Sequence, residues 1–198
     1  MGRAIGVLPM KKNACNMFIE RIEMITLESL RLQIRTITAD DLAAVFSVHR
    51  SDPDFLRYRE GSEGEPGRYD LQAWERDWQL AQIIPGRHAL ACVLKTTNEF
   101  VGYIDYLEEH DDGFPWLGAL TIHVAYRRRG FGCEAFERLV QHFREHYGWS
   151  HLRTSVLAVN AVGMAFASRV GFRPIQQTRL RLSAGEQPVV VFEMDLCL

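Results

Sequence analysis

The chain has 198 residues, of which 47% are hydrophobic and 24% charged, and its formal net charge is −2. These values are typical of one soluble globular domain with a sizeable core. They argue against general nucleic-acid binding, which usually requires a surplus of basic residues.

The cysteines and the apolar segments exclude further classes of protein. Cys15, Cys92, Cys133 and Cys197 are widely spaced and form no C-x-x-C pair, which favours reduced thiols over a disulfide framework or a zinc site. No apolar run approaches the roughly 18 residues of a membrane span. The apolar N-terminal segment AIGVLPM precedes the basic residues 11–12 instead of following them, unlike a signal peptide. The sequence therefore predicts a cytoplasmic protein with no metal and no membrane partner.

The first predicted elements follow an N-terminal extension (1–30), and the remainder (31–198) is predicted to form a single domain. Apolar and polar residues alternate over 31–38, which predicts a strand. Thr38 and Asp41 have the spacing of a capping pair, so a helix is expected to begin there.

The middle of the chain predicts a second helix and three strands. A loop rich in proline, glycine and charge (51–69) precedes Asp70, which is a suitable N-cap residue. The runs 88–95, 99–107 and 115–126 then predict strands joined by short turns, an arrangement typical of an antiparallel meander.

The last third of the chain predicts a mixed sheet. Its predicted elements are a periodic helix ending before Gly148, a strand at 151–159, a short helix capped by Asn160, and strands at 174–182 and 188–196. The strand–helix–strand unit at 116–159 predicts a parallel crossover. The predicted fold class is therefore α+β (mixed α/β), with a central mixed sheet of about seven strands and flanking helices.

The stretch YRRRGFGCEAF (126–136) places three arginines and two glycines between a predicted strand and a predicted helix. Backbone N–H groups and the positive end of the helix dipole favour phosphate at such a position. Glycine allows the backbone to approach an anion closely. The alternative interpretation is a glycine-containing connection whose arginines are simply solvated.

Two other phosphate-binding interpretations fit less well. A triphosphate-binding loop requires a Gly-Lys pair, and the chain contains none. The residues 130–135 match G-x-G-x-x-A, as in dinucleotide-binding proteins, but no acidic residue lies between Glu145 and Glu186 to bind the ribose. The preceding meander also differs from a doubly wound sheet. An NADP-binding protein therefore remains a possible interpretation of this stretch, but a weak one.

The residues 127–132 resemble [Q/R]-x-x-G-x-[G/A], the pyrophosphate-binding signature of the GCN5-related N-acetyltransferase (GNAT) superfamily. The residues 122–126 lie where the fourth strand of that family enters the signature. Downstream, Asn160 and the pair 171–172 (Gly-Phe) resemble the family's N-x-x-A-x-x-x-Y-x-x-x-G-F helix. The order of predicted elements over 31–196 is also that of the family.

The resemblance implies that acetyl-CoA binds in a V-shaped splay between the fourth and fifth strands. Backbone amides from Arg128 to Cys133 would bind the pyrophosphate. The main chain of Ile122 and Val124 would pair with the pantetheine arm, although the proline common at the Val124 position is missing. The residues implied in cofactor binding are Ile122, His123, Val124, Arg127, Arg128, Arg129, Gly130, Phe131, Gly132, Cys133 and Asn160.

Acetyl transfer to an amine requires a neutral amine, a polarised thioester carbonyl and a proton for the leaving thiolate. The tyrosine that often supplies this proton in the family is replaced by Ala167, and the family's alanine is replaced by Gly163. The candidates for the general base are Asp105, which is the preferred carboxylate, and His123, since histidine commonly acts as a base near neutral pH. His123 could instead lie on a solvated or helix-covered face. The acidic loop 108–112 is interpreted as a solvated turn. If it instead faced the substrate cleft, it would favour a cationic amine.

The predicted function is an N-acetyltransferase that transfers the acetyl group of acetyl-CoA directly to a primary amine of a small molecule or peptide. The alternative is an acyl-CoA-binding regulatory or scaffold module with little catalysis, which the missing tyrosine favours. No nucleic-acid partner is expected, and the edge strands predicted near the C-terminus would allow a homodimer.

Overall fold

A computed structural model of the chain describes residues 23–54, 56, 70–182 and 185–197. The strands are β1 (Thr26–Glu28), β2 (Leu32–Thr36), β3 (Arg87–Leu94), β4 (Phe100–Leu107), β5 (Trp116–Ile122), β6 (His151–Leu157), β7 (Arg173–Leu182) and β8 (Gly185–Asp195). The flanking helices are α1 (Leu42–Arg50), α2 (Leu71–Ala81), α3 (Phe131–His142) and α4 (Ala161–Arg169). All of these strands belong to one sheet with the order β1-β2-β3-β4-β5-β6-β8-β7.

The predicted mixed α+β fold class is confirmed, with eight strands in the sheet where about seven were expected. The additional strand is β1, which has only three residues and is too short to show an alternating pattern. It pairs with β2, and its Leu27 is buried opposite Ile34. The meander β3-β4-β5 is antiparallel and the crossover from β5 to β6 is parallel, both as predicted.

Several predictions fall on residues outside the described ones. These are residues 1–22 of the predicted N-terminal extension, most of the loop 51–69, and residues 183–184 of the connection between the last two predicted strands. The end of that extension, from residue 23 onward, contains β1. Among the described helices, none combines the length and the hydropathy needed to cross a bilayer.

The parallel strands β5 and β6 are paired only near their beginnings. Trp116 lies opposite Arg153 and Leu117 opposite Thr154, and the register contains no later pair. The hydroxyl of Thr154 also donates to the carbonyl oxygen of Leu117 (2.8 Å), which fixes the point where pairing stops. The two strands therefore separate toward their carboxyl ends, at the place where the V-shaped splay was predicted.

One core lies between the sheet and the helices α3 and α4. The apolar face predicted for α3 is buried there, with Phe136 and Leu139 against the sheet. The aromatic ring of Phe172 packs at 5.6 Å from that of Phe136. Burial of these large side chains holds the N-terminus of α3 in a fixed position beside the end of β5.

A smaller core lies on the opposite face, beneath α1 and α2. Val45 and Val48 of α1 pack against Tyr103 of β4. The indoles of Trp74 and Trp78, which are four residues apart on α2, cover the same cluster. The four-residue spacing places both tryptophans on the face of α2 that packs against this core.

The predicted capping residues are present at the helix starts. Asp70 accepts a hydrogen bond from Ala73 N (2.8 Å), and Asn160 accepts one from Gly163 N (2.9 Å). Asp41 accepts bonds from both the N–H and the hydroxyl of Thr38 (2.8 Å each), at the one-turn 3₁₀ helix that leads into α1. These side chains accept hydrogen bonds from N–H groups at the helix starts, which have no acceptor within the helix.

The β7–β8 hairpin forms one edge of the sheet. Strand β8 lies between β6 and β7, so β7 has a strand partner on one side only. Nearly all of its residues are exposed. The homodimer expected from these edge strands stays a prediction.

Replacing Asp41 with asparagine should lower the free energy of unfolding near neutral pH by about 2 kcal/mol. The bidentate contact with Arg35 (2.7 and 2.8 Å) is the main cause that lowers the pKa of Asp41 to about 2. A lowered carboxyl pKa stabilises the fold above the unfolded-state pKa of 3.8, and that contribution is lost as pH falls toward about 2.

Urea unfolding of both proteins at a series of pH values measures this effect. The difference between them should be full above about pH 5 and should shrink as the pH is lowered through 3.8. Asp40→Asn, a change at the exposed neighbouring position, is the control and should alter stability little. An Asp41→Asn deficit that did not change with pH would contradict the assignment.

Candidate functional site

The connection from β5 to α3 has an unusual backbone. After Ile122, residues Val124–Tyr126 form a single 3₁₀ turn. Arg128 (φ 62°) and Gly130 (φ 85°) then both adopt the left-handed conformation. Glycine takes this conformation without strain, whereas an arginine there is uncommon. Left-handed residues in such a loop turn successive N–H groups toward one side and form an anion-binding concavity.

The N-terminus of α3 leaves its first N–H groups available. The first helical hydrogen bond runs from Glu134 N to the carbonyl oxygen of Gly130 (3.0 Å). The N–H groups of Phe131, Gly132 and Cys133 therefore precede the helical ladder, as in any helix start. They lie in the stretch whose amides are predicted to bind pyrophosphate, at the positive end of the α3 dipole.

The three arginines of the stretch have different surroundings. Arg127 Nη2 lies 2.7 Å from a carboxylate oxygen of Asp52, and its Nε donates to the carbonyl oxygen of Ile122 (3.0 Å). Arg128 and Arg129 are exposed, and the guanidinium of Arg129 lies 5.6 Å from the centre of the Tyr126 ring. The exposed pair is free to approach a phosphate. Arg127 instead joins the ends of α1 and β5, and its contact with the cofactor stays a prediction.

Sequence analysis missed a polar network that holds this loop. One carboxylate oxygen of Glu134 accepts hydrogen bonds from the Ser29 hydroxyl (2.8 Å) and from Arg31 N (2.6 Å). Its other oxygen pairs with Arg31 Nε (2.6 Å). Burial acts to raise the pKa of Glu134, but the hydrogen bonds from Arg31 and Ser29 outweigh it and leave the pKa below its usual value.

Arg31 also contacts the loop directly. Its Nη1 donates to the carbonyl oxygen of Arg129 (3.0 Å), and its guanidinium stacks 4.2 Å from the centre of the Phe131 ring. A Cβ atom added at Gly130 would lie 3.3 Å from Arg31 Nη2. The only signal in the sequence was an acidic residue in the first turn of a helix, Glu134. Its partners lie 103 and 105 residues away.

Beyond Leu117, the edge of β5 that faces β6 has no strand partner among the described residues. His123 N donates to Val101 O of the neighbouring antiparallel strand (2.9 Å). Because main-chain groups alternate in direction along a strand, the N–H and carbonyl of Ile122 point the opposite way, into the splay. Arg127 occupies this carbonyl, and Ser51 Oγ accepts from Val124 N (3.2 Å). The predicted pairing of Ile122 with pantetheine has a suitable strand edge, whereas Val124 lies beyond it in the 3₁₀ turn.

Asn160 lies directly beyond β6, at the start of α4. Its side-chain oxygen caps the helix through Gly163 N, and a Cβ added at Gly163 would lie only 2.6 Å from Asn160 Nδ2. The family's alanine would not fit at Gly163 without movement of this amide. Ala167 is buried, with 4% of its surface exposed.

His123 lies at the carboxyl end of β5, and its ring caps the following 3₁₀ turn. Its Nδ1 accepts a hydrogen bond from Ala125 N (3.2 Å). An accepting Nδ1 implies that the proton of the neutral ring is on Nε2. In this tautomer Nε2 is a hydrogen-bond donor. For Nε2 to accept a proton as a base, the ring proton would have to lie on Nδ1, and the hydrogen bond from Ala125 N would be lost.

Asp105 lies on β4, on the face covered by α1 and α2. It lies opposite Ala119 of β5, and its carboxylate pairs with Arg87 Nε (3.0 Å). A Cβ at Gly118 would come within 2.8 Å of the same carboxylate, so glycine at this position leaves space around it. From Ala119 to Ile122 is roughly 10 Å along the strand.

The acidic loop 108–112 lies at the other end of β5. Asp112 accepts from the indole N–H of Trp116 (3.0 Å) and pairs with Arg153 (3.0 Å). Glu108 contacts His88 Nε2 (2.6 Å), and Glu23 lies near enough that three potential metal-ligating atoms are within 4.8 Å of one another. The loop therefore does not bring negative charge to the end of β5 where acetyl transfer is predicted.

A surface cleft of about 460 Å³ lies beside the carboxyl end of β5. The cleft is shallow and open to solvent. Its lining residues come from α1, the residue after α1, and the end of β5: Ala43, Phe46, Ser47, Arg50, Ser51 and His123.

Comparisons with known proteins relate both the sequence and the fold to one family. The sequence matches the family model of the acetyltransferase (GNAT) domain over residues 31–173. The fold is similar to that of a GCN5-related N-acetyltransferase from Brucella melitensis (TM-score 0.71, 16% identity, covering 88% of this chain and 80% of that one). A comparison with curated protein sequences finds no match.

Two further structures with the same fold are named for protein acetylation. One is the ribosomal-protein-S5-alanine acetyltransferase from Vibrio fischeri (TM-score 0.68, 13% identity, covering 87% of this chain and 97% of that one). The other, from Salmonella typhimurium, modifies the N-terminal serine of 50S ribosomal subunit protein L7/L12 (TM-score 0.69, 12% identity, covering 86% and 99%). At these identities the likeness shows the fold alone.

Replacing Gly130 with alanine should weaken acetyl-CoA binding about tenfold, because a left-handed alanine costs roughly 1–2 kcal/mol and the loop would relax. Isothermal titration calorimetry measures the change. Gly113→Ala is the matched control, since Gly113 also has positive φ (77°) and open space around it, but lies in the acidic loop. Equal affinity in wild type and Gly130→Ala would mean that pyrophosphate binds elsewhere.

Replacing Arg31 with alanine should raise the dissociation constant for acetyl-CoA by about threefold to tenfold, because the loop loses its contact at Arg129 O and its ion pair at Glu134. The same titration applies, and Glu134→Gln should reproduce part of the effect. Arg179→Ala removes a comparable but exposed ion pair with Glu186 and serves as the control. If Arg31→Ala changed melting temperature alone and left affinity intact, the network would have no role in holding the loop.

Proposed function

The chain belongs to the GNAT family of acetyltransferases, since the family match spans residues 31–173, and we propose that it transfers the acetyl group of acetyl-CoA directly to a primary amine. The observation that carries this proposal is the loop 128–133. Its N–H groups at the start of α3 adjoin the unpaired edge of β5. A long cofactor with phosphate at one end and a thioester at the other fits this pair of features.

The pyrophosphate would lie against the N–H groups of Phe131, Gly132 and Cys133, with Arg128 and Arg129 as nearby cations. The amide-rich pantetheine arm would extend along β5 and use the N–H of Ile122. This order directs the thioester to the carboxyl end of β5, which borders the cleft lined by His123. Asn160 lies just beyond β6, on the opposite side of the splay.

The reaction requires no covalent enzyme intermediate. The amine nitrogen attacks the thioester carbonyl carbon, a C–N bond forms, and the C–S bond breaks. The nitrogen releases one proton to a base, and the leaving thiolate of coenzyme A takes up one proton. A main-chain N–H of β5 near Ile122 would stabilise the negative charge that develops on the carbonyl oxygen.

His123 and Asp105 would have complementary roles. With Nδ1 occupied by Ala125, His123 is suited to donate a hydrogen bond from Nε2 at the end of β5. The carboxylate of Asp105 lies on the same face of the sheet as the cleft. Because Asp105 is opposite Ala119, roughly 10 Å along the strand from Ile122, it would accept the amine proton through a bridging water.

The acceptor is proposed to be the α-amine of a peptide or protein. Two proteins with this fold are named for acetylation of ribosomal proteins, one of them at an N-terminal serine. The cleft beside His123 opens at the surface, which permits entry of a chain end. A small-molecule amine remains the other acceptor that this cleft would admit.

A second candidate function is an acyl-CoA-binding module with little catalysis. It is favoured by the buried alanine, Ala167, at the position where the family often has a proton-donating tyrosine. A thiolate is a reasonable leaving group near neutral pH, so loss of this tyrosine need not abolish transfer.

Acetyl transfer should be measured by release of free coenzyme A and by mass spectrometry of peptide acceptors. We expect turnover, and we expect Asp105→Asn and His123→Ala to lower kcat by about a hundredfold and tenfold, with little change in KM for acetyl-CoA. Glu109→Gln makes the same carboxylate-to-amide change at an exposed position and should leave kcat unchanged. Tight acetyl-CoA binding without turnover of any amine would establish the binding module instead.

A further inference from the structure

The cleft beside His123 is built on one face of α1. Ala43, Ser47 and Arg50 recur at the three- and four-residue spacing that aligns side chains on a helix, and all three are exposed. Phe46 forms an apolar wall and is largely buried. The hydroxyl of Ser51 joins the wall to the end of β5 through its contact with Val124 N (3.2 Å).

Arg50 contributes a positive charge to this cleft. Its guanidinium lies 5.7 Å from the centre of the Phe46 ring, and in the described part of the chain it has no ion pair. The nearby Arg127 differs in this respect, because Asp52 neutralises it at 2.7 Å. No carboxylate is among the residues that line the cleft.

The acidic residues that would have favoured a cationic acceptor lie elsewhere. Asp112 is bound to Trp116 at the beginning of β5, which is about 20 Å along the strand from Ile122. At that distance their charge is largely screened at physiological ionic strength. Among the described residues that line the cleft, the only charged guanidinium or carboxylate is therefore the guanidinium of Arg50.

We propose that Arg50 selects acceptors that carry a carboxylate close to the reacting amine, specifically peptides with an acidic side chain at the second or third position. This inference rests on the proposed function and names its acceptor class. A guanidinium held over an aromatic ring offers paired N–H donors to a carboxylate. The same positive charge disfavours the protonated form of an amine beside it and so favours the nucleophilic neutral form.

The position of Arg50 matches this role. It is one helical turn from Phe46 and adjacent to Ser51, so a carboxylate bound there would lie beside the end of β5. One or two residues of extended peptide, about 3.4 Å each, would then separate the anchored side chain from the amine. The amine would be directed toward His123, on the other side of the cleft.

The experiment compares kcat/KM for matched peptides with amidated C-termini, Ser-Glu-Ala-Tyr, Ser-Gln-Ala-Tyr and Ser-Lys-Ala-Tyr, together with free serine and serinamide. We expect the glutamate peptide to exceed the glutamine peptide by about fivefold and the lysine peptide by more. Arg50→Glu should reverse this order, whereas Arg50→Lys should retain it in weaker form. The KM for acetyl-CoA should not change in either variant. Arg181→Glu, at an exposed site on the β7–β8 hairpin, controls for overall charge.

The outcomes separate this inference from the proposed function. Acetylation of all three peptides with equal efficiency, unaltered by Arg50→Glu, would overturn the role of Arg50 and leave the acetyltransferase intact. Preference for free serine over serinamide and over the glutamate peptide would assign the carboxylate to a free amino acid and overturn the peptide class. Bound acetyl-CoA with no acetylated product from any acceptor would overturn the proposed function itself.

Discussion

Two parallel strands that share hydrogen bonds only at their beginnings set the design of this protein. Beyond Leu117 and Thr154, the facing edges of β5 and β6 have no strand partner in the described chain. Main-chain groups left in such a position require water or a ligand. The crossover through α3 keeps the strands in one sheet while its N-terminus lies at the open end, so unpaired strand edge and helix dipole adjoin each other. The cofactor that the family uses combines an amide-rich arm with phosphates, and both features suit it.

The hydrogen bonds and ion pair that join Glu134 to Ser29 and Arg31 fix the loop at the open end of the splay. Arg31, which precedes β2, reaches the carboxylate in the first turn of α3 and the carbonyl of Arg129. These contacts cross the sheet from its N-terminal hairpin to the loop after β5. A loop with two left-handed residues would otherwise have many accessible conformations. The interactions therefore hold the loop in one conformation, which would lower the entropic cost of binding the pyrophosphate proposed for this site.

Features that depend on near neighbours in the chain were predictable from sequence. The caps at Asp41, Asp70 and Asn160 involve residues three positions apart, and the glycine signature before α3 lies within six residues. Contacts between distant segments were not predictable, because no local period encodes them. Arg31 meets Glu134 across 103 residues, and Arg127 is engaged by Asp52 at the far end of α1. The position of the acidic loop relative to the cleft could not be predicted from the sequence for the same reason, since only the fold shows which end of β5 the loop occupies.

The bridge formed by Arg127 and Ser51 is a wall between the splay and the cleft that Arg50 lines, the regions proposed for the cofactor and the acceptor. Arg127 connects Asp52, just after α1, with the carbonyl of Ile122, and Ser51 connects the same end of α1 with Val124 N. One side of this wall borders the splay, and the other borders the cleft of Arg50. Thermodynamic reciprocity then applies: any factor by which an occupied splay alters acceptor affinity is the factor by which the acceptor alters cofactor affinity. A substitution in this wall that alters the coupling would therefore alter it equally in both directions.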